Sequence, residues 1–190
     1  MTTADLAGSV QHTKVRATAD RTRIERVLSE CEVHGFDGAM VQPCWVPLAA
    51  ETVADTDVSV RTALEYPLGG DRTHTKVAGI HDAVAADATI RLMSELGGLT
   101  DGEAEREIEY AVGAGFDYRK NSSGFGVGGQ ATVDRIRCIA DRVDGSVGVK
   151  ASGGITTAAG ARAPLDAGAD LLGASSGVAV VAGGEGGNGY

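Results

Sequence analysis

Aromatic side chains are scarce in this sequence. Phe, Tyr and Trp make up 4% of 190 residues, so the core has to be built from Ala, Val, Leu and Ile. The single tryptophan, Trp45, reads as a packing residue. Cysteine is equally sparse: Cys31, Cys44 and Cys138 are far apart, odd in number and without a Cys-x-x-Cys spacing. That pattern excludes a disulfide framework and a thiolate zinc site. Cys31 and Cys138 fall within apolar helical patterns and are expected to pack as small hydrophobes in a reduced, cytoplasmic setting. Positive charge is outnumbered, 17 Lys and Arg against 26 Asp and Glu, for a formal net charge of -9. Such a surface repels phosphate backbones and anionic lipid, so neither nucleic acid nor membrane is an expected partner. No apolar run approaches the roughly 20 residues of a membrane span. The first 30 residues lack the basic start and apolar run of a signal peptide.

Glycine is plentiful, at 28 residues, which suits a chain with many tight turns. The dominant pattern is alternation. Short β-branched runs are followed by helical periods, an order that favours a parallel sheet with helices outside it. Strands are predicted over 10–15, 38–41, 58–64, 89–95, 116–120, 147–150 and 171–174. The helix predicted over 21–33 places Ile24, Val27, Leu28 and Cys31 on one face, with Gly35 as its stop. Further helices are predicted over 46–53 and 74–85. Thr100-x-x-Glu103 resembles a capping box opening another helix. The next helix carries Val133, Ile136, Ile139, Ala140 and Val143 inward. A helix over 158–167 contains Pro164, which removes a backbone donor and predicts a kink or a short helix. The reading is an α/β protein: one TIM-type (β/α) barrel domain over 1–182 with seven recognisable βα units. A Gly-rich tail, 183–190, is expected to be disordered.

In such barrels the active site lies where strands end and βα loops begin. Two predicted strand ends carry a lysine, Lys120 and Lys150, one βα unit apart. Neighbouring strands lie about 4.8 Å apart, so both lysines can face one pocket. An amine attacks a carbonyl only when neutral, and a lysine of ordinary pKa near 10.4 is almost all ammonium at pH 7. Burial and a second cation lower that pKa and permit a Schiff base. From the spacing alone, each lysine is equally well read as a surface residue or the partner of a carboxylate. Gly153-Gly154 and Ser175-Ser176-Gly177 follow the last two strands, where loops of these barrels often hold phosphate on backbone N–H groups.

The stretch Lys120-Asn121-Ser122-Ser123-Gly124-Phe125-Gly126 resembles the Schiff-base motif of the deoxyribose-phosphate aldolase family. Lys150-Ala151-Ser152-Gly153-Gly154-Ile155 is similar to its second-lysine motif, and Gly173-Ala174-Ser175-Ser176-Gly177-Val178-Ala179 to its last phosphate loop. His12-Thr13, Val41-Gln42-Pro43, Tyr66-Pro67-Leu68-Gly69 with Lys76, and Leu99-Thr100-Asp101 echo the family in the same order. The resemblance implies a class I aldolase that needs no cofactor or metal. Such an enzyme reversibly cleaves 2-deoxyribose 5-phosphate to acetaldehyde and glyceraldehyde 3-phosphate. Carried over residue by residue, Lys120 is the nucleophile and Lys150 its tuning partner. Ser123, Gly124, Gly153, Gly154, Ser175 and Ser176 hold the substrate and its phosphate.

The departures from the family cluster at the expected active-site mouth. The family's fourth strand and helix, with a catalytic aspartate, have no counterpart. Glu65, Glu95 and His74 are the candidate substitutes for proton transfer. Gln11 stands where an Asp is usual, Gln42 replaces an Asn, Glu65 a Gly and Arg91 a Lys. Losing one unit predicts a gap between two strand edges that a second copy of the chain could cover. Two further functions remain open on these departures: an aldolase-like enzyme redirected to another C–C bond or cyclisation reaction in specialised metabolism, and a non-catalytic binding homologue.

Overall fold

The structure is a computed structural model and describes residues 2–63, 89, 91–93, 95, 98–113, 115–123, 129–143 and 145–184. The predicted helix over 74–85, the 66–70 turn, Glu65, His74, Lys76, Gly124 and the tail beyond Gly184 lie outside the described residues. Helix α1, Thr3–Gly8, leads into strand β1, Val10–Lys14, and helix α2, Arg21–His34. Strand β2, Gly38–Val41, a 3-10 turn at Pro43–Trp45 and helix α3, Val46–Thr52, precede strand β3, Ser59–Thr62. Strand β4, Arg91–Met93, helix α4, Asp101–Gly113, strand β5, Tyr118–Lys120, and helix α5, Val133–Val143, follow. Strand β6, Gly148–Ser152, helix α6, Ala158–Asp166, strand β7, Leu171–Ala174, and helix α7, Gly177–Ala182, are the last of the described elements.

All seven strands pair in parallel in the order β3-β2-β1-β7-β6-β5-β4. The first strand lies beside the last, as it does in a barrel. The sheet curls strongly. Strands β6 and β2 are three places apart, about 14 Å in a flat sheet, yet Lys150 Nζ on β6 reaches Met40 Sδ on β2 at 3.8 Å. Among the described residues β3 and β4 are not paired with each other, so the curl is a seven-stranded partial barrel with two edges.

Side-chain alternation sorts the sheet into two faces. Val10, Ala39, Val41, Leu92, Val149, Ala151, Leu172 and Ala174 are buried, and all but Leu92 belong to one apolar cluster with Ile24, Leu28, Ile108, Ile136 and Ile139 of the helices. The concave face is polar instead: Gln11, Thr13, Lys120, Lys150 and Ser152 are all buried.

Several elements have local causes visible in the sequence. Asp20 caps α2 by accepting from Arg23 N, and Gly35 ends it at φ 65°, a left-handed conformation that glycine adopts without strain. Thr2 and Asp5 form a full capping box on α1, a helix that the pattern of apolar residues did not reveal. Helix α7 is also additional to the sequence expectation. The box predicted at Thr100 is half formed: Thr100 N and Thr100 Oγ1 both donate to Glu103 Oε2, at 2.8 and 2.7 Å. Pro164 lies inside α6, which stops two residues later as a nine-residue helix. Cys31 is fully buried as expected, and burial pushes its thiol up to about 12. Cys138 departs from expectation. It is half-buried, and its Sγ accepts from Arg142 Nη1 at 2.9 Å, so it is a polar contact as well as a packing residue.

Candidate active site

Lys120 is the last residue of β5, and its Cα pairs with Lys150 on β6 and with Met93 on β4. Residues of one register level on parallel strands project to the same face, so both ammonium groups enter the concave side, as the one-unit spacing predicts. Lys120 is 6% exposed and its Nζ rests on Met93 Sδ at 3.8 Å. Among the described residues no carboxylate forms an ion pair with it. Burial lowers its pKa to about 8; the Glu95 charge opposes this and the Arg91 charge adds to it.

Lys150 is wholly buried and its Nζ donates to Gln11 Oε1. Its pKa is held well below the ordinary lysine value by burial first, then by Lys120, Arg91 and Arg61, with Asp37 opposing. The cation that adds to the lowering at Lys120 is Arg91. At Lys150 a neutral amide, Gln11, accepts one hydrogen bond and supplies no charge to keep the amine protonated. The amide's other end, Gln11 Nε2, donates to Asp37 Oδ2 at 2.8 Å, and Arg61 Nη2 donates to the same oxygen at 2.9 Å.

The strand end beyond Lys120 is stitched to its neighbours. Asn121 Nδ2 donates to the Ser152 carbonyl at 3.1 Å, and Ser152 N donates back to Asn121 Oδ1 at 2.8 Å. Ser152 Oγ donates to the Ser122 carbonyl at 2.7 Å. Glu95 accepts from Ser122 Oγ at 2.9 Å and from Ser123 N at 2.6 Å. This carboxylate therefore orders the segment that carries Lys120, and of the three proton-transfer candidates it alone lies among the described residues.

Five of the six residues expected to bind substrate or phosphate lie among the described residues, on the loops after β5, β6 and β7. Ser123 is buried, with its N–H directed to Glu95. Gly153 and Gly154 adopt φ 105° and 72°, as a tight turn needs. A Cβ at Gly153 would strike the carbonyl oxygen of Gly129, and one at Gly154 the side chain of Gln130. The loop after β5 thus lies directly on this turn. Ser175 and Ser176 instead line a cleft of about 470 Å³ with Lys14, Arg23 and Arg26. Within it, Glu30 accepts from Arg26 Nε at 2.7 Å and pairs with His12 Nε2 at 2.8 Å. These cations are local exceptions on a chain of net charge -9. The sequence reading missed Lys14, Arg23 and Arg26 because they lie far from the Ser-Ser loop along the chain. Alternation along β3 is the signal that could have placed Arg61 on the lysine face.

No family profile matches the chain. A deoxyribose-phosphate aldolase of Deinococcus radiodurans is 35% identical, over 97% of this chain and 99% of that protein. One from Enterococcus faecalis is 32% identical, over 96% of this chain and 98% of that protein. The chain belongs to the deoxyribose-phosphate aldolase family. The fold agrees: a tetrameric deoxyribose phosphate aldolase from Aeropyrum pernix superposes with a TM-score of 0.89 at 21% identity, covering 95% of this chain and 91% of that one.

This member of the deoxyribose-phosphate aldolase family is short. The alignment to the Enterococcus faecalis relative runs over 217 positions and takes in 96% of the 190 residues here, about 182, so about 35 positions face gaps. One strand–helix unit of such a barrel is about 30 residues.

Proposed function

We propose that the chain is a class I aldolase that forms its Schiff base on Lys120 and cleaves 2-deoxyribose 5-phosphate to acetaldehyde and glyceraldehyde 3-phosphate, or joins them. The observation that carries this is the state of Lys120: buried at a strand end, beside a second buried lysine, with its pKa near 8. At pH 7 a lysine of pKa 8 is neutral about a tenth of the time, against about one part in 3,000 at 10.5. Neutral Lys120 adds to the substrate's carbonyl carbon, the oxygen leaves as water, and an iminium remains. The C2–C3 bond then breaks as the C3 hydroxyl gives up its proton and the bond electrons flow into the iminium. The resulting enamine takes a proton at carbon, and water releases acetaldehyde. Glu95 is the candidate to carry the hydroxyl proton in place of the aspartate that the family keeps on its fourth strand.

The cleft at Ser175 and Ser176 suits the phosphate end, since Lys14, Arg23 and Arg26 attract an anion there. The three cysteines, all free thiols, fit a reducing compartment. Among the described residues no helix is long and apolar enough to cross a membrane. The two unpaired sheet edges are candidate contacts for a second copy of the chain. A non-catalytic role would leave two buried lysines with no use for the cost of desolvating them.

Borohydride trapping tests the reading. The protein is incubated with 2-deoxyribose 5-phosphate or acetaldehyde, reduced, and analysed by intact mass and peptide mapping. A reduced adduct on Lys120 is expected. A folded protein that yields no adduct with either compound is not a Schiff-base aldolase of this class.

The pH dependence follows from the sign of the Lys120 shift. Only the neutral amine reacts, so the rate of adduct formation rises about tenfold per unit from pH 6, bends near pH 8 and levels above it. An unshifted lysine would keep rising beyond pH 10.

Gly173 is a second test of the geometry. A Cβ there would lie 3.0 Å from Ser152 Cβ and 3.2 Å from Lys150 Cε. Gly173→Ala should displace the Lys150 side chain and lower aldolase turnover by about tenfold or more, because a displacement of about 1 Å in a positioned group has effects of up to 10²-fold. Turnover within twofold of the parent would mean that the position of Lys150 is unimportant.

A further inference from the structure

The concave face holds more positive charge than a neutral carbonyl substrate needs. Besides Lys120 and Lys150 it carries Arg61 on β3 and Arg91 on β4, the two edge strands. Arg91 pairs in register with Tyr118 and its guanidinium lies 4.7 Å over the Tyr118 ring, which fixes it on the lysine face. Arg61 is fixed on the same face by its bond to Asp37, which also holds Gln11. The carboxylates here are already engaged: Asp37 accepts from Arg61 and Gln11, and Glu95 from Ser122 and Ser123. The Nε atoms of Arg61 and Arg91 are buried, with no hydrogen-bond partner among the described residues. Burial and the charge of Arg61 even depress Arg91 to about 10, so the two guanidiniums disfavour each other's presence. Buried donors left unsatisfied cost free energy, and such an arrangement is relieved when an anion enters.

Arg91 lies two residues before Met93, the register partner of Lys120. On parallel strands this puts the two Cα atoms about 8 Å apart on one face, so a small molecule bonded to Lys120 can also touch the Arg91 guanidinium. Planar guanidinium groups match carboxylates with paired hydrogen bonds.

We propose that Lys120 accepts, besides the aldehyde, a carbonyl substrate that carries a carboxylate, a short oxo acid, and that Arg91, backed by Arg61, receives that group. The proposal rests on Schiff-base formation at Lys120 and adds a second substrate class to it. In the step involved, neutral Lys120 Nζ adds to the ketone carbon, the carbonyl oxygen takes one proton from that nitrogen and one from solvent and leaves as water, and a C=N⁺ iminium forms with the carboxylate intact. Borohydride then delivers hydride to the imine carbon and leaves a secondary amine.

The test compares pyruvate with acetaldehyde as trapping partners of the full chain, each titrated at pH 8 and read as the fraction of Lys120 carrying the reduced adduct. Half-maximal trapping is expected at a pyruvate concentration at least tenfold below that for acetaldehyde. Restoring the lysine usual in the family, Arg91→Lys, keeps the positive charge and removes the fork. It should cut the preference for pyruvate over acetaldehyde at least fivefold, and Arg61→Met provides a second, independent reduction if Arg91→Lys folds poorly. Acetaldehyde trapped on Lys120 as readily as pyruvate, or better, would overturn the carboxylate proposal while leaving the Schiff base standing. Trapping of neither, in folded protein, would instead remove the Schiff base on which it rests.

Discussion

Lys120→Ala is expected to lower turnover by about a thousandfold or more and to remove the borohydride adduct entirely. The size of the effect follows from the chemistry. Covalent catalysis divides one difficult step into two easier ones, and no other group can supply the iminium that accepts the electrons of the breaking C–C bond. Lys150 is the nearest alternative amine, but it is wholly buried and committed to Gln11 Oε1. Lys120 is the more accessible of the two and rests only on the weak acceptor Met93 Sδ. The alanine variant loses a buried ammonium without an ion partner among the described residues, so the fold should survive and circular dichroism should match the parent. An adduct that persists on Lys150 in the variant would reassign the nucleophile to the second lysine.

Arg119→Met is expected to stabilise the protein by about 1–4 kcal/mol, raising the thermal midpoint by several degrees. Arg119 faces away from Lys120, since successive residues of a strand point to opposite sides. It is 0% exposed, and among the described residues its Nε, Nη1 and Nη2 have no hydrogen-bond partner. Burial depresses its pKa to about 10, with Glu107 and then Cys138 opposing, so it remains charged at neutral pH in an apolar layer. Methionine has similar length, fills the same space and carries no donors. Replacing buried charges by apolar residues of like volume is often neutral or stabilising even when those charges are paired. Trapping at Lys120 should be unchanged, because the substitution acts on the helix side of the sheet. A lowered midpoint would mean that Arg119 makes a stabilising charge interaction with Glu107 that outweighs its desolvation.

The strands were legible because their ends are punctuated. Strands β2 and β7 match their predicted bounds, with Pro43 after the first and Ser175-Ser176-Gly177 after the second. The predicted β6 began one residue early, and its ladder runs two residues further, through Ala151 and Ser152, because pairing with β7 continues past Lys150. Helices α1 and α7 were not legible as amphipathic periods. Each has only six residues, too few for a period of 3.6 to declare itself, although the Thr2–Asp5 box marked the first. Of the candidate site, the two lysines and their common face were readable from spacing. The source of the charge acting on Lys120 was not, because Arg91 meets it across a strand pairing that sequence distance does not reveal.

By itself, the order of β-branched runs and helical periods determined a parallel α/β sheet, and the Lys120, Lys150 and Ser175 motifs determined the family. Both are local properties: alternation selects the buried face of each element, and a motif is contiguous in the chain. Tertiary structure alone decided which groups share the concave face, that Gln11 rather than a carboxylate holds Lys150, and that Ser175 and Ser176 open toward Arg23 and Arg26. These depend on the curl and register of the sheet, which bring side chains from distant strands within hydrogen-bond reach. Burial then sets their charge, because desolvation acts on the folded interior and has no counterpart in the extended chain.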